Sequence, residues 1–264
     1  MTFDLTDTPL VTLDGGVLSL PISLDGKGNA LDSDALAQSD TALAALLAGE
    51  VDAGAVLLRG LGANFCAGGN VAGFAAAGDR SEHIREVADL LHGMIRRLDE
   101  LSVPVVAAVA GWAAGAGLSL ALAADFSVVN AQTRLLAAYP GIGLSPDGGM
   151  SWRLPRAIGP AAARAFILGN QPVGGEEAHR SGMVTTFVDG EVPGAAEELA
   201  ARLASGPRAA YAAAKRLIRD SETSTLSEHL DAERDSIAAL AAHPDGVEGV
   251  DAFIAKRTPR FGAS

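Results

Sequence analysis

Between residues 103 and 124 the chain carries no charged side chain, a run long enough to cross a bilayer. Its composition argues against a membrane span. Pro104 removes a backbone donor near its start, Gly111, Gly115 and Gly117 interrupt it, and alanine fills much of the rest. Asp125 closes the run, and no basic cluster flanks it to orient a span. Burial inside a protein satisfies such a sequence instead. Residues 105–110 read as a buried strand, residues 111–117 as a glycine-rich turn, and residues 118–123 as the helix it opens. A turn of this kind presents unpaired N–H groups at the positive end of a helix dipole.

A second stretch has the same logic. Ala55, Val56, Leu57 and Leu58 form a short apolar run with the length and bounding glycines of a buried strand. It leads through Arg59-Gly60 to Phe65-Cys66-Ala67-Gly68-Gly69-Asn70, where adjacent glycines let backbone amides approach a ligand closely. Alone, either turn is ordinary. Together, two turns on neighbouring strands can aim two amides at one oxygen and stabilise a developing oxyanion.

The rest of the chain alternates strands and helices. Residues 10–13 and 17–20 flank Asp14-Gly15-Gly16 as a hairpin. Residues 25–29 form a loop, and a helix follows from Ser33, capped by Asp32 or Ser33. Residues 71–80 are loosely helical, and Ser81 caps a helix with apolar positions from Ile84 to Leu98. Strands at 126–129 and 134–136 precede loops at 139–143 and 145–149, and a helix begins near Gly149. The remainder is helical over 161–168, 175–181, 193–204, 207–219 and 226–253, with a strand at 184–188. Repeated strand–helix–strand units imply right-handed crossovers and a sheet covered by helices.

Composition narrows the function. A chain of 264 residues with 48% hydrophobic content suits one domain, or one with a helical appendage. Its one cysteine, Cys66, excludes an internal disulfide framework, and no metal-ligand spacing of Cys and His appears. The five histidines are scattered; His83, His92, His229 and His243 read as solvated or capping, and His179 as a helix-end residue. A net charge of −12 disfavours nucleic acid or an anionic membrane surface as partner. Residues 1–19 lack the basic start and apolar core of a signal peptide, so a cytoplasmic location is expected.

In order, the motifs Asn29-Ala30-Leu31, Phe65-Cys66-Ala67-Gly68-Gly69-Asn70, Gly111-Trp112-Ala113-Ala114-Gly115-Ala116-Gly117, Gly143-Leu144-Ser145-Pro146-Asp147-Gly148-Gly149, Leu154-Pro155-Arg156 and Glu248-Gly249-Val250-Asp251-Ala252-Phe253 resemble the crotonase superfamily, also called the enoyl-CoA hydratase/isomerase family. The resemblance spans residues 10–261. It implies an α/β fold, the crotonase (ClpP-like) spiral of ββα units, over residues 1–200. Residues 201–264 would form a helical region for assembly as a homotrimer or a hexamer, a dimer of trimers. The implied partner is an acyl-CoA thioester, with no separate cofactor because CoA is part of the substrate.

The resemblance also assigns roles. The Gly69 and Ala116 amides would form the oxyanion hole. Relatives that hydrate use two glutamates, and this chain has Ser119 and Tyr139 at those positions. A serine or tyrosine is a poor general base at neutral pH without help. Asp147 remains; its loop resembles that of the phenylacetate-pathway ring-epoxide isomerases, where the aspartate shuttles a proton. It also matches the nucleophilic aspartate of aromatic acyl-CoA dehalogenases. Before Gly148-Gly149, Asp147 is equally a good helix cap or turn residue. CoA would be held near Asn29, Ala30, Leu31, Cys66, Ala67 and Gly68, with Lys27 on the phosphates and Lys256 as a second cation, acting from a neighbouring subunit. Phe74 and Trp112 would line the acyl pocket, Trp112 with core packing as its alternative. The expected activity is enoyl-CoA isomerisation through Asp147. The alternatives are hydration by non-standard groups and a catalytically silent CoA-binding protein.

Overall fold

A computed structural model describes residues 5–262, apart from the side chain of Lys27. The hairpin forms as expected: β1 (Thr12–Asp14) pairs antiparallel with β2 (Val17–Leu24). Residues 27–29 close one turn of 3₁₀ helix within the expected loop. Next comes α1 (Ser33–Leu47), capped by the Asp32 carboxylate, which accepts from the Asp34 and Ala35 amides. After β3 (Ala55–Leu61), the loosely helical stretch reduces to the six-residue α2 (Val71–Ala76). The helix expected to be capped by Ser81 starts two residues earlier as α3 (Arg80–Glu100), because Asp79 takes the cap by accepting from the Glu82 amide.

The uncharged stretch yields β4 (Val105–Ala108), β5 (Trp112–Ala114) and α4 (Ala116–Ala123). The glycine-rich turn therefore contains a strand of its own. It is paired in parallel to β7 (Arg134–Leu136), which follows β6 (Phe126–Val129). Beyond lie α5 (Met150–Ile158), α6 (Pro160–Gly169), β8 (Val173–Gly174), α7 (Gly175–Arg180), β9 (Thr186–Phe187) and α8 (Val192–Ala204). Three further helices, α9 (Arg208–Asp220), α10 (Leu226–Ala241) and α11 (Pro244–Ile254), end the chain. The single helix expected over 226–253 is thus two. Pro244 cannot continue the hydrogen-bond ladder of α10, and His243 caps α11 in front of it.

One sheet runs β1-β2-β3-β4-β6-β9, parallel throughout except for the β1–β2 edge, and a second runs β5-β7-β8. The inner strands are apolar on both faces, which is why they read as unbroken apolar runs. Val56, Leu58, Val105 and Ala107 join the core that includes α1 and α3. Ala55, Leu57, Val106 and Ala108 meet Val192, Ala196, Leu199 and Leu203 of α8 on the other side. Buried almost all round, α4 has no need of a polar face. No helix among the described residues is long and apolar enough to cross a membrane. The last three helices leave large apolar side chains outside, among them Ile218, Leu230, Ile237 and Phe253.

The closest packing between the two glycine motifs is at Gly117. A Cβ there would lie 2.4 Å from the Cys66 carbonyl oxygen and 2.6 Å from the Cys66 Cβ. Gly117→Ala is expected to force these segments apart and cost about 1–3 kcal/mol, as overpacking does. Urea unfolding followed by circular dichroism measures this; an unchanged midpoint would show that the segments do not meet so tightly.

Candidate active site

Because β3 and β4 are adjacent and parallel, the segments that follow them emerge side by side. They are then stitched together. The Cys66 N–H donates to the Trp112 carbonyl at 3.0 Å, and the Ala114 N–H to the Cys66 carbonyl at 2.9 Å. Beyond this bridge, a Cβ on Gly115 would stand 3.8 Å from the Gly68 Cα, so the two turns touch. Neither the Gly69 N–H nor the Ala116 N–H donates to a protein acceptor among the described residues. Ala116 is the first residue of α4, where no intrahelical acceptor exists and the dipole is positive. A backbone amide without a protein acceptor can donate to an anionic oxygen.

The acidic group lies beside them. Tyr139 packs its ring against Gly115, with Cζ 3.7 Å from where a Cβ would sit, and its hydroxyl donates to Asp147 Oδ1 at 2.5 Å. Ser119, one turn into α4 and fully buried, donates to the Asp147 carbonyl at 2.9 Å and lies 3.3 Å from the Tyr139 hydroxyl. It therefore has partners that its sequence context did not reveal. Burial, reinforced by the Asp147 charge, pushes the Tyr139 phenol far above its ordinary range, so it remains a proton donor. Asp147 is no helix cap: Gly149 caps α5 without a side-chain bond. From Asp147 only the main-chain carbonyl serves the helix start, accepting the Met150 N–H at 3.2 Å.

One residue of this cluster escaped sequence reasoning. His92 of α3, expected to be solvated or capping, is half-buried, and its Nε2 accepts the Gly148 N–H at 3.0 Å. The signal was its helical spacing. His92 borders the inward stripe of Leu91, Met94, Ile95 and Leu98, and Ile95 Cδ1 is 3.3 Å from where a Gly148 Cβ would be. The imidazole pins the residue next to Asp147 to α3.

The expected CoA contacts fall into two groups. The backbones of the first two motifs chiefly bind each other: the Ala67 N–H donates to the Asn29 carbonyl at 2.8 Å, and the Leu31 N–H to the Gly68 carbonyl at 2.7 Å. Buried Asn29 adds side-chain bonds to the Leu24 carbonyl and the Asn64 amide. In contrast, Ala30, Leu31, Asn70 and Phe74 line an open cavity of about 520 Å³, with Asp25, Asp32 and Asp34 on its rim. Phe74 Cζ stands 2.7 Å from the position of a Gly69 Cβ, edge-on to His83 at 6.0 Å, so its ring overlies the Gly69 turn. Trp112 is 40% exposed, which rules out core packing; its backbone rather than its ring serves the bridge to Cys66. Lys256 is exposed beyond the end of α11 and is not part of the cluster around Asp147. The side chain of Lys27 lies outside the described residues. Among the described residues, no group of three His, Cys, Asp or Glu is placed to hold a metal.

The family model described as enoyl-CoA hydratase/isomerase matches residues 14–264. A 1,2-epoxyphenylacetyl-CoA isomerase of Escherichia coli (strain K12) is 39% identical over 210 residues, covering 78% of this chain and 80% of its own. A protein of Rhodobacter capsulatus named probable enoyl-CoA hydratase is 36% identical over 219 residues, covering 83% and 84%. Among solved structures, an enoyl-CoA hydratase from Polaromonas sp. JS666 superposes with a TM-score of 0.86 at 36% identity, covering 95% of this chain and 98% of that one.

The Cys66 side chain is structural. It is fully buried, and burial pushes its thiol up to about 12, leaving almost no thiolate near neutrality. Ellman's reagent at about pH 8 is expected to label the unfolded chain quickly and the native chain only at the rate of unfolding. Rapid labelling of the native protein would place the sulfur at the surface.

Proposed function

The chain belongs to the enoyl-CoA hydratase/isomerase family, and on that premise we propose that it is an isomerase of acyl-CoA thioesters that uses Asp147 as its single proton carrier. The observation that supports this reading is the hydrogen-bonded group beside the two free amides. Its one carboxylate is Asp147, and Ser119 and Tyr139 bring hydroxyls where hydrating relatives are expected to bring acids. The thioester oxygen accepts from the Gly69 and Ala116 amides, which acidifies the adjacent C–H and stabilises the enolate. Asp147 removes a proton from C2 of a 3-enoyl chain. The electrons shift to place the double bond between C2 and C3, and the same carboxylic acid returns the proton at C4. One base is enough for this cycle, whereas adding water across a double bond needs one group to activate the water and another to protonate the carbon. Opening of a ring epoxide conjugated to the same enolate, the chemistry in the name of the Escherichia coli relative, falls within this reading.

Hydration is the second reading. It is favoured by the hydroxyls of Ser119 and Tyr139, which join Asp147 in a network able to hold a water. Phe74, Ala30 and Leu31 would carry the pantetheine and acyl parts of the ligand, and Lys27 its phosphates. The exposed apolar side chains of the last three helices, Ile218, Leu230, Ile237 and Phe253 among them, fit burial between subunits of a trimer or of a hexamer built from two.

Kinetics, calorimetry and light scattering test the proposal. Asp147→Asn keeps the shape and removes the base, so isomerisation of a 3-enoyl-CoA should fall about 10²–10⁴-fold. Calorimetric binding of an acyl-CoA should persist, because the amides are untouched. A variant that isomerises at the wild-type rate would relieve Asp147 of this role, and wild-type hydration outpacing isomerisation would promote the second reading. Light scattering should return a mass that is a multiple of three chains; a clean monomer would remove the assembly.

A further inference from the structure

Tyr139 joins the two halves of the site. Its ring rests on Gly115, the residue before the Ala116 amide, and its hydroxyl ends on the Asp147 carboxylate. Among the described residues, Asp147 is the one charged acceptor that the hydroxyl bonds. The phenol is 8% exposed. Its raised affinity for its own proton keeps it a donor and never a competing base.

We infer that Tyr139 is a positioning residue for Asp147. Its hydroxyl occupies Oδ1 and leaves Oδ2 to carry the substrate proton, while its ring fixes that oxygen's distance from the Ala116 amide. This goes beyond the proposed function but rests on it, since it presumes that Asp147 is the base. Ser119 supports the same geometry from below by holding the Asp147 carbonyl at 2.9 Å. His92 accepts the Gly148 N–H at 3.0 Å, so both polar ends of the peptide unit that follows Asp147 are held. The tyrosine hydroxyl restricts the torsions of the aspartate side chain itself.

A double-mutant cycle tests this, using the assembled protein and a 3-enoyl-CoA. Tyr139→Phe keeps the ring on Gly115 and deletes the hydroxyl's bond to the charged Asp147 carboxylate together with its 3.3 Å contact with Ser119. It should lower kcat about ten-fold or more, with KM and thermal midpoint little changed. Adding Tyr139→Phe to Asp147→Asn should cause no further loss, because the hydroxyl acts only through that carboxylate. Full additivity, or a wild-type kcat in Tyr139→Phe, would overturn the inference while leaving Asp147 as the base. A wild-type rate in Asp147→Asn is a different result, which removes the base and the inference together. Should Tyr139→Phe not fold, fluorine NMR provides the same decision. The chain has only two tyrosines, so 3-fluorotyrosine labels Tyr139 and Tyr211 alone. Asp147→Asn should move the Tyr139 signal and leave Tyr211 in place; an unmoved Tyr139 signal would overturn the inference.

Discussion

The site depends on a backbone approach with no side chain in it. Two parallel strands, β3 and β4, release their chains side by side, and the Cys66–Trp112–Ala114 hydrogen bonds hold the released segments together. Gly117 lets α4 start directly over the Cys66 carbonyl, closer than any residue with a Cβ allows. From this follow the two unpaired amides, the burial of Cys66 and Ser119, and the position of Tyr139 against Gly115. The surrounding hydrophobic core packs against this arrangement from both faces of the sheet.

Much of this was legible in the sequence. The apolar runs at Val56 and Val105, the glycine motifs after them and the helical C-terminal third carry periodicities and turn residues that agree with one another. What was not legible depended on partners distant in the chain. The strand at Trp112–Ala114 was hidden inside a glycine-rich turn because its pairing with Arg134–Leu136 is a tertiary event. The residue type of Asp147 suits a cap and a catalyst equally; only the placement of Tyr139 shows that the carboxylate turns away from the helix. His92 looked like any polar residue on a surface helix, since the loop it pins is 56 residues away. Local signals were read correctly at Asp32 but not at Ser81, whose expected cap falls to Asp79, nor at Pro244, which splits a helix expected to be continuous.

The division of labour within the cluster follows from burial. Tyr139 and Ser119 are enclosed and uncharged, whereas Asp147 is half-buried. The carboxylate therefore keeps some contact with solvent, and the groups behind it need no counter-ion. An acidic chain of net charge −12 places its few cations elsewhere, in surface pairs such as Arg153–Asp99 and Arg257–Glu248.

The contact between Gly148 and Ser119 bears on how such a protein changes over evolutionary time. Gly148 has a φ of +60°, and a Cβ on it would stand 2.6 Å from the Ser119 Cβ. Position 119 therefore has no spare room, and position 148 cannot drift to another residue to make any. Replacing Ser119 by a glutamate, the change that would supply a second acid, collides with the very loop that carries the first. A lineage moving between one-acid and two-acid chemistry must shift that loop and that side chain together. Single substitutions along the way would carry a stability cost before any new activity could be gained.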